Sequence, residues 1–337
     1  MTGEVLEGEL IMPDVTALGE LLIDFTQNGF SEQGNPLFEA NPGGAPCNVL
    51  AMLSKLGHQT AFMGKVGNDY LGNMLKHKVS SLGIDTGCLY ADNAVHTTLA
   101  FVHTAEDGDR DFSFYRNPGA DMMLREDEVD EELIRNSKIF HFGSLSMTHE
   151  GVRKATKRAL DIAKRNHILI SFDPNLREPL WDTPENARKQ ITYGMRQCQI
   201  LKISDNEIQW YTGKSDYCEA AETLYREFQI PLILVSMGKE GSLAYYHGVI
   251  VKVPAILLDN TIETTGAGDT FAACVLNYIL RNGLEQLSTE QLTEMLLFAN
   301  AAAALVTTKK GALCVMPEKA EVEEILWQKL QVSIKNI

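Results

Sequence analysis

The residues best suited to chemistry lie at 263–270, which reads Glu-Thr-Thr-Gly-Ala-Gly-Asp-Thr. A strand-like apolar run precedes this segment at 249–258, and apolar residues recur after it at helical spacing as far as Gly283. Free N–H groups at a helix N-terminus carry partial positive charge, and glycines let them close on an anion such as phosphate. Asp269 would stand in the first helical turn and could take a proton from a hydroxyl. The segment therefore suggests an anion hole and a base in one turn.

Three other interpretations of the glycine-rich segments are a structural turn, a Walker loop and a dinucleotide-binding fingerprint. A structural turn in which Asp269 or Thr270 only caps the helix remains open from these residues alone. A Walker loop is excluded, because the Gly-Lys-Ser at 213–215 has Ile208 where the first glycine belongs. The dinucleotide fingerprint is excluded as well, because Phe271 follows where a third glycine is needed.

Composition limits the classes of partner. The chain has 337 residues, 45% of them hydrophobic and 22% charged, which is ordinary for a globular protein with a sizeable core. The formal net charge of -15 disfavours binding to nucleic acid or to acidic membrane surfaces. We expect no membrane span and no signal peptide, because no apolar run of about 18 residues occurs and the start is acidic. A phosphate substrate would then need local donors and a divalent cation.

Cysteine and histidine usage points to a reduced compartment without a zinc site. The six cysteines include no Cys-x-x-Cys pair, and several lie in apolar runs. The eight histidines show no spacing typical of zinc ligands. We therefore predict a cytoplasmic protein.

Strand-like and helix-like segments alternate along most of the chain, after a polar leader at 1–13, and include a predicted helix near 126–136. The first apolar run, at 15–25, predicts a buried strand interrupted at Gly19. Asp24 lies in the apolar end of this run and could accept hydrogen bonds from sugar hydroxyls, although a structural role is equally consistent with this stretch. Glycines at 43–44 precede a second helix N-terminus, where Asn48 could act as both donor and acceptor. Residues 95–116 form a predicted β-hairpin with its turn at 106–110, inserted in the α/β pattern.

The loops after successive strands are expected to meet at one edge of the sheet. These are the segments at 173–177, 204–207 and 236–242. The predicted fold is α/β, with a mostly parallel central sheet, helices on both faces and a small β-sheet lid. We assign it to one domain, 14–330, with the lid formed from about 24–42 and 95–118.

Seven segments in order resemble the ribokinase-like, or PfkB, carbohydrate kinases, and within them the fructokinases, over about 14–320. The segments are Gly-Glu-Leu-Leu-Ile-Asp-Phe at 19–25, Pro-Gly-Gly-Ala-Pro-Cys-Asn at 42–48, Gly-Lys-Val-Gly-Asn-Asp at 64–69, Thr-Leu-Ala-Phe-Val at 98–102, Phe-Tyr-Arg-Asn-Pro at 114–118, Asp-Pro-Asn-Leu-Arg at 173–177 and Thr-Thr-Gly-Ala-Gly-Asp at 264–269. The resemblance implies a ribokinase-like fold and ATP-dependent phosphorylation of D-fructose at its 6-hydroxyl, with Mg²⁺.

The resemblance also implies roles for individual residues. Asp269 matches the general base, and the amides of Gly266, Ala267 and Gly268 match the anion hole. The implied substrate-binding residues are Asp24, Gly43, Gly44, Asn48, Phe101, Arg116 and Asn175. The implied nucleotide-binding residues are Arg177, Lys202, Asn206, Ser236, Gly238, Gly241 and Asn300. Glu207 matches a segment associated with hydrated Mg²⁺. Glu263 stands where the family commonly has an Asp that helps bind a monovalent cation, which makes K⁺ a further implied ion.

Two alternatives remain open from the sequence. A 2-keto-3-deoxygluconate kinase shares several of the segments and would use donors such as Tyr115 and Arg116 for the substrate carboxylate. A catalytically silent sugar sensor or interaction protein on a kinase fold is the alternative from another class. The partners expected are a small sugar and ATP, with a homodimer formed through the lid.

Overall fold

The computed structural model describes residues 12–104 and 110–335. The polar leader predicted at 1–13 and the hairpin turn predicted at 106–110 fall almost entirely outside the described residues. Within them the strands are β1 (Val15–Leu18), β2 (Leu22–Phe30), β3 (Pro36–Gly43), β4 (Thr60–Gly67), β5 (Ile84–Asp85), β6 (Leu89–Asp92), β7 (Leu99–Thr104), β8 (Arg110–Tyr115), β9 (Ile139–Gly143), β10 (Leu169–Asp173), β11 (Ile200–Ser204), β12 (Leu232–Ser236), β13 (Ser242–Tyr246) and β14 (Val249–Val253). The helices are α1 (Ala45–Lys55), α2 (Tyr70–Ser81), α3 (Glu131–Arg135), α4 (Glu150–Arg165), α5 (Pro184–Met195), α6 (Asp205–Thr212), α7 (Tyr217–Phe228), α8 (Ala267–Asn282), α9 (Thr289–Val306) and α10 (Lys319–Lys335).

The larger sheet is mostly parallel, as predicted. Its order is β14-β13-β12-β11-β10-β9-β1-β4-β5, and β6 also pairs with β4. Only the β12–β13 and β13–β14 pairs in it are antiparallel among the described strands. From β1 the chain moves outward through β4 to β5, and later from β9 to β12 on the other side. The strand order therefore reverses between β1 and β9, which is where open α/β sheets form their ligand crevice.

Helices cover both faces of this sheet. Alternate residues of a strand point to opposite faces, and along β12 Leu232 and Leu234 belong to one buried apolar cluster whereas Ile233 and Val235 belong to another. The first cluster includes buried residues of α1, α8 and α9, and the second includes those of α4, α5 and α7. The predicted two-faced layering is therefore confirmed.

A separate four-stranded sheet has the order β3-β2-β7-β8. β2 pairs with β3 in antiparallel and with β7 in parallel fashion, and the predicted β7–β8 hairpin is present. The apolar run at 15–25, predicted as one strand interrupted at Gly19, is divided between the two sheets as β1 and β2. Because of this division, Asp24 lies in β2 of the small sheet and not at the end of a strand of the larger sheet.

Some predicted boundaries were wrong. The strand predicted at 249–258 ends at Val253, because Pro254 cannot continue a sheet ladder, and residues 254–266 contain no strand. The segment 204–207, predicted as a loop, instead starts α6, with a capping box between Ser204 and Glu207. The helix predicted near 126–136 consists of a 3₁₀ turn followed by the short α3. Among the described residues, no helix has the length and apolar character needed to cross a membrane.

Candidate active site

A cleft of about 580 Å³ lies between the small sheet and the carboxyl ends of the parallel strands. Glu20, which follows β1, and Leu145, which follows β9, both line it, so the cleft opens at the point where the strand order reverses. Many of the residues predicted from the sequence line this one cleft: Asp24, Gly44, Asn48, Asn175, Arg177, Lys202, Glu207, Ser236, Gly238, Gly266, Gly268 and Asp269.

Asp269 lies in the first turn of α8 with only 8% of its surface exposed. Asn48, near the start of α1, donates a hydrogen bond from Nδ2 to Asp269 Oδ2 at 2.7 Å. Burial raises the pKa of Asp269 to about 6; the charge of Asp173 acts in the same direction, and Asn48, Lys202 and Arg177 oppose it. A carboxylate of this kind is ionised at neutral pH and basic enough to accept a hydroxyl proton.

The residues of the turn before α8 differ in whether they face the cleft and in whether their amides are already hydrogen-bonded. Gly266 has φ +80°, a left-handed conformation that suits glycine, and a Cβ on it would come within 2.6 Å of a neighbouring side chain. The N–H of Ala267 donates to Thr264 O at 3.2 Å, so this amide closes the turn, and Ala267 does not line the cleft. Gly266 and Gly268 do line it. Of the three amides predicted for the anion hole, that of Ala267 is therefore already used.

Lys202 places a buried positive charge beside the start of α8. A Cβ on Gly268 would stand 2.9 Å from Lys202 Nζ, which shows how close the ammonium lies to this helix. Burial alone would lower the pKa of Lys202, but the carboxylates of Asp173, Glu207 and Asp269 outweigh it and the pKa is raised. The side chain is therefore cationic and faces a helix N-terminus, an arrangement suited to an anionic ligand.

Asp24 brings a second carboxylate to the opposite side of the cleft. Burial raises its pKa to about 7; Arg177 opposes this, and the charges of Glu263 and Asp269 add to it. An ionised carboxylate only accepts hydrogen bonds, so Asp24 suits the hydroxyl groups of a sugar.

The paired glycines allow the chain to pack around these carboxylates. A Cβ on Gly43 would lie 2.2 Å from Asp24 Oδ2, and one on Gly44, whose φ is +133°, would lie 2.4 Å from the backbone oxygen of Glu20. Gly44 lines the cleft, whereas Gly43 does not. The predicted substrate role of Gly43 thus becomes a packing role next to Asp24.

The two faces of the small sheet have different surroundings. Asp24 and Phe114 belong to the same cross-strand row, and both line the cleft. Phe101 stacks on Phe25 at 5.0 Å between ring centroids and contacts Tyr115 at 5.4 Å. Phe101 does not line the cleft, because its row faces the other side of the sheet. Phe114, which was not predicted, occupies the cleft side instead.

Arg116 is buried outside the cleft, at the end of the small sheet. Its Nε and Nη2 contact Asp121 Oδ2 at 2.8 and 2.6 Å, its Nη1 donates to Thr148 Oγ1 at 2.9 Å, and its Nη2 donates to Leu145 O at 3.1 Å. The guanidinium is therefore held by protein groups and is not presented to a substrate, in contrast to the predicted role. These contacts connect the residue that follows β8 to the segment that follows β9.

The predicted nucleotide residues are only partly brought together. Four of the seven, Arg177, Lys202, Ser236 and Gly238, line the cleft. The other three lie outside it. Asn206 is exposed on α6, and a Cβ on Gly241, with φ +109°, would come within 2.1 Å of a β14 carbonyl oxygen. Asn300 is buried and donates to two backbone carbonyls at the end of β14, at 3.3 and 3.2 Å.

The two carboxylates predicted to bind ions are engaged by protein donors. Glu207 accepts hydrogen bonds from Ser204 N at 2.8 Å and from Leu176 N at 2.6 Å. Glu263 does not line the cleft and accepts from Gly311 N at 3.1 Å. In the part of the chain that the structure describes, no group of three or more His, Cys, Asp or Glu side chains could hold a metal ion. A divalent ion here would have to obtain most of its ligands from a bound phosphate and water.

Two buried carboxylates were not predicted as part of the site. Glu20 lines the cleft with 4% of its surface exposed, and its Oε1 accepts from Ala45 N at 3.0 Å. Asp173 lies at the end of β10 and pairs with Lys202. The signal that drew attention to Asp24, an acidic residue at the end of an apolar run, applies to both and could have found them.

Comparisons with known proteins agree over almost the whole chain. A family model described as pfkB family carbohydrate kinase matches residues 12–319. The chain is 43% identical over 324 residues to a protein named probable fructokinase-2 from Arabidopsis thaliana, covering 94% of this chain and 96% of that one. A fructokinase structure from Xylella fastidiosa with bound ATP matches with a TM-score of 0.85 and 27% identity, covering 94% of this chain and 99% of that one. A fructokinase double mutant from Vibrio cholerae O395, bound to fructose, ADP and potassium ion, matches with a TM-score of 0.83 and 28% identity, covering 94% and 98%.

Proposed function

The chain belongs to the pfkB family of carbohydrate kinases, and from this membership we propose that it transfers the γ-phosphoryl group of ATP to the 6-hydroxyl of D-fructose. Its predicted family and ribokinase-like fold are confirmed. The choice of fructose is supported by a relative named as a probable fructokinase and by a similar structure with bound fructose and ADP. The observation that carries the proposal is Asp269, buried beside a helix N-terminus and held by Asn48 at 2.7 Å in a cleft that also contains Asp24.

In this proposal the sugar binds between the small sheet and α8. Asp24 accepts hydrogen bonds from hydroxyl groups, and the side chain of Phe114 covers the sugar from the small sheet. Asn175 and Asn48 line the same space and add polar contacts. Covering the sugar excludes water, which would otherwise compete with the hydroxyl for the phosphoryl group.

Asp269 acts as the general base. Asn48 holds its Oδ2, so we assign the proton transfer to Oδ1. The 6-hydroxyl gives its proton to Asp269 while its oxygen forms a bond to the γ-phosphorus, and the bond from that phosphorus to the β,γ-bridging oxygen breaks to release ADP. The chemistry needs positioning and charge stabilisation more than covalent help from the protein.

Negative charge that develops on the transferred group is met by the N-terminus of α8 and by two cations. Gly266 and Gly268 bring the backbone of that terminus to the cleft. Lys202 lines it from β11, and Arg177 lines it from the segment after β10. Preorganised donors and charges of this kind are the main source of rate acceleration in phosphoryl transfer. Ser236 and Gly238 would contact the nucleotide further along the cleft.

ATP would bind as its magnesium complex. Mg²⁺ usually keeps several waters and takes its other ligands from substrate phosphates, so the absence of a carboxylate cage among the described residues is compatible with it. When bound, the ion neutralises charge on the phosphates. Glu207 would reach it through water, and activation by K⁺ near Glu263 stays a prediction.

The structure weakens the rival keto-acid substrate. The keto acid would need hydrogen-bond donors for its carboxylate, and the sequence suggested Tyr115 and Arg116 for that role. Tyr115 packs on Phe101, on the face of the small sheet away from the cleft, and Arg116 is paired with Asp121. The sensor alternative is disfavoured because a base, a cation and a helix N-terminus converge in one cleft.

ATP consumption with magnesium across fructose, 2-keto-3-deoxygluconate, ribose, glucose and adenosine tests the proposal, with and without K⁺. We expect turnover on fructose at kcat/KM at least about tenfold above every other substrate, a margin of roughly 1.4 kcal/mol. A preference for the keto acid, or nucleotide binding with no turnover on any sugar, would contradict it.

The pH dependence of the reaction should report the two buried carboxylates. Asp269 acts in its ionised form, and burial raises its pKa in the free protein to about 6. Below that pH kcat/KM for the sugar should fall, approaching tenfold per pH unit as the base becomes protonated. The pKa of Asp24, raised to about 7, should steepen this acid side. A kcat/KM profile that stays flat from pH 8 down to pH 5 would argue against Asp269 as the base.

The outer face of the small sheet supports the predicted homodimer. Phe25, Phe38 and Tyr115 surround Phe101 there. Phe38 and Tyr115 are 39% and 65% exposed, which leaves an aromatic surface without cover in one chain. We propose that a second copy covers this face. Location in the cytoplasm likewise stays a prediction.

A further inference from the structure

Asp173 and Lys202 form a buried ion pair next to the cleft, which Lys202 lines and Asp173 does not. Lys202 Nζ lies 3.0 Å from Asp173 Oδ2, and the two side chains are 10% and 4% exposed. They follow directly after the register pair of Phe172 with Leu201 on the parallel strands β10 and β11. The two residues thus stand side by side on adjacent strands, with Asp173 the last residue of β10 and Lys202 in the middle of β11, where it lines the cleft.

A contribution to the stability of the folded state does not readily explain why this buried ion pair is present. Removing two charges from water costs several kcal/mol for each ion, and the attraction between them in the interior often only offsets this. An apolar pair would fill two sheet positions at no such cost. The retention of both charges next to Asp269 therefore points to a role in the site.

Asp173 is itself fixed by its surroundings. Its Oδ1 accepts a hydrogen bond from Asn175 N at 3.2 Å, while its Oδ2 faces Lys202. Lys202 in turn extends to within reach of Gly268, where an added Cβ would stand 2.9 Å from Nζ. The carboxylate therefore connects a rigid strand end to the position of the ammonium.

We propose that Asp173 is a positioning residue for phosphoryl transfer, which holds the Lys202 ammonium at the N-terminus of α8 and keeps it from pairing with the base Asp269. The inference rests on the proposed function and concerns the same site. Lys202 contacts the transferred group, and Asp173 acts through Lys202.

Neutralising Asp173 should change both the position of Lys202 and the basicity of Asp269. Lys202 is attracted by three carboxylates, those of Asp173, Glu207 and Asp269. Without the first, the ammonium should move toward the other two, and a closer cation makes Asp269 a weaker base. The charge of Asp173 also raises the pKa of Asp269 directly, so its loss acts in the same direction. The charged groups that face Asp269 and enter this balance are Asp173, Lys202, Arg177 and Asp24.

A double-mutant cycle on Asp173→Asn and Lys202→Met tests the inference with ATP and the preferred sugar. We expect Lys202→Met to lower kcat on the order of 10²-fold, as for loss of one transition-state charge. Asp173→Asn should lower kcat on the order of tenfold or more alone, and should change it by less than about twofold when Lys202 is already Met. Losses that multiply independently would overturn the positioning role.

The pH profile gives a readout that a merely structural role would not move. The acid limb of kcat should shift to lower pH in Asp173→Asn and to higher pH in Lys202→Met. Asp173→Glu, which keeps the charge, should leave the limb close to that of the wild type and so covers the case in which the Asn variant does not fold. An unshifted limb in Asp173→Asn, or one shifted equally by Asp173→Glu, would contradict the inference.

A matched control variant and the wild type distinguish a failure of the proposed function from a failure of the inference about Asp173. Glu128 pairs with the buried Lys65 at 2.7 Å, away from the cleft, so Glu128→Gln should lower the melting temperature but leave kcat and the acid limb unchanged. Failure of the wild type to phosphorylate fructose would overturn the proposed function. Normal wild-type turnover with independent losses in the cycle would overturn only the role of Asp173.

Discussion

Asp269→Asn should keep the fold and sugar binding but lower kcat on the order of 10² to 10⁴-fold, the range typical of a lost general base. The substitution has the same shape, and its carbonyl oxygen can still accept the hydrogen bond that Asn48 now donates to Asp269 Oδ2 at 2.7 Å. Only the proton acceptor is removed. Steady-state kinetics with ATP and fructose, together with sugar binding by calorimetry, measure both effects.

A first-turn carboxylate elsewhere provides the control for this variant. Glu290 lies in the first turn of α9 and does not line the cleft, so Glu290→Gln should leave kcat unchanged. Turnover of Asp269→Asn within a few-fold of the wild type would remove Asp269 from the proposed role. Loss of turnover together with loss of sugar binding would instead indicate a damaged site.

Gly268→Ala should separate activity from stability. The added Cβ would stand 2.9 Å from Lys202 Nζ and 3.5 Å from its Cε, so the ammonium must move away from the start of α8. We expect kcat to fall on the order of 10² to 10³-fold, as when one preorganised donor is lost. Alanine has a higher helix propensity than glycine by about 1 kcal/mol, so the melting temperature should hold or rise.

Gly151→Ala is the matched control for this second variant. Gly151 also lies near the start of a helix, α4, but an added Cβ there would approach no atom closer than 3.4 Å. It should be at least as stable as the wild type, for the same reason of helix propensity, and fully active. Normal kcat in Gly268→Ala would show that neither Lys202 nor the backbone at Gly268 needs its present position.

The sequence predicted the elements of the fold where local signals are strong. The helix after Gly266 ends within one residue of the predicted end and has Asp269 in its first turn, as predicted, because glycines mark both of its ends. The strand predicted before that turn was wrong in its second half, although Pro254 is a recognisable stop signal. The division of 15–25 between two sheets could not be predicted, because strand pairing depends on the rest of the chain.

The candidate site was predictable where a residue follows a strand of the main sheet or begins a helix. Asp269 and Asn48 reach the cleft from the first turns of α8 and α1, and Arg177 from the segment that follows β10. Lys202 and Ser236 reach it from within β11 and β12 themselves. In the small sheet a change of one residue reverses the face, and the register is not visible in the sequence. Phe101, which the resemblance gave as a substrate-binding residue, therefore lies on the face opposite to the one that Phe114 occupies.

The other disagreements between the sequence-based predictions and the structure concern polar residues whose hydrogen-bond partners cannot be read from the sequence. Arg116 reads as a free donor in the sequence, but the fold brings Asp121, Thr148 and the Leu145 carbonyl around it. Asn300 is held in a similar way by carbonyls at the end of β14. A polar group that enters the interior must find partners there, and only the tertiary structure decides which.

The position of the phosphate on the product tests the central proposal most directly. Fructose, ATP and magnesium would be incubated with the wild-type protein, and the product analysed by ³¹P and ¹³C nuclear magnetic resonance. We predict fructose 6-phosphate, formed by the wild type and not detectably by Asp269→Asn over the same time. Fructose phosphorylated at another hydroxyl, or the same product formed equally by both proteins, would contradict the proposed geometry.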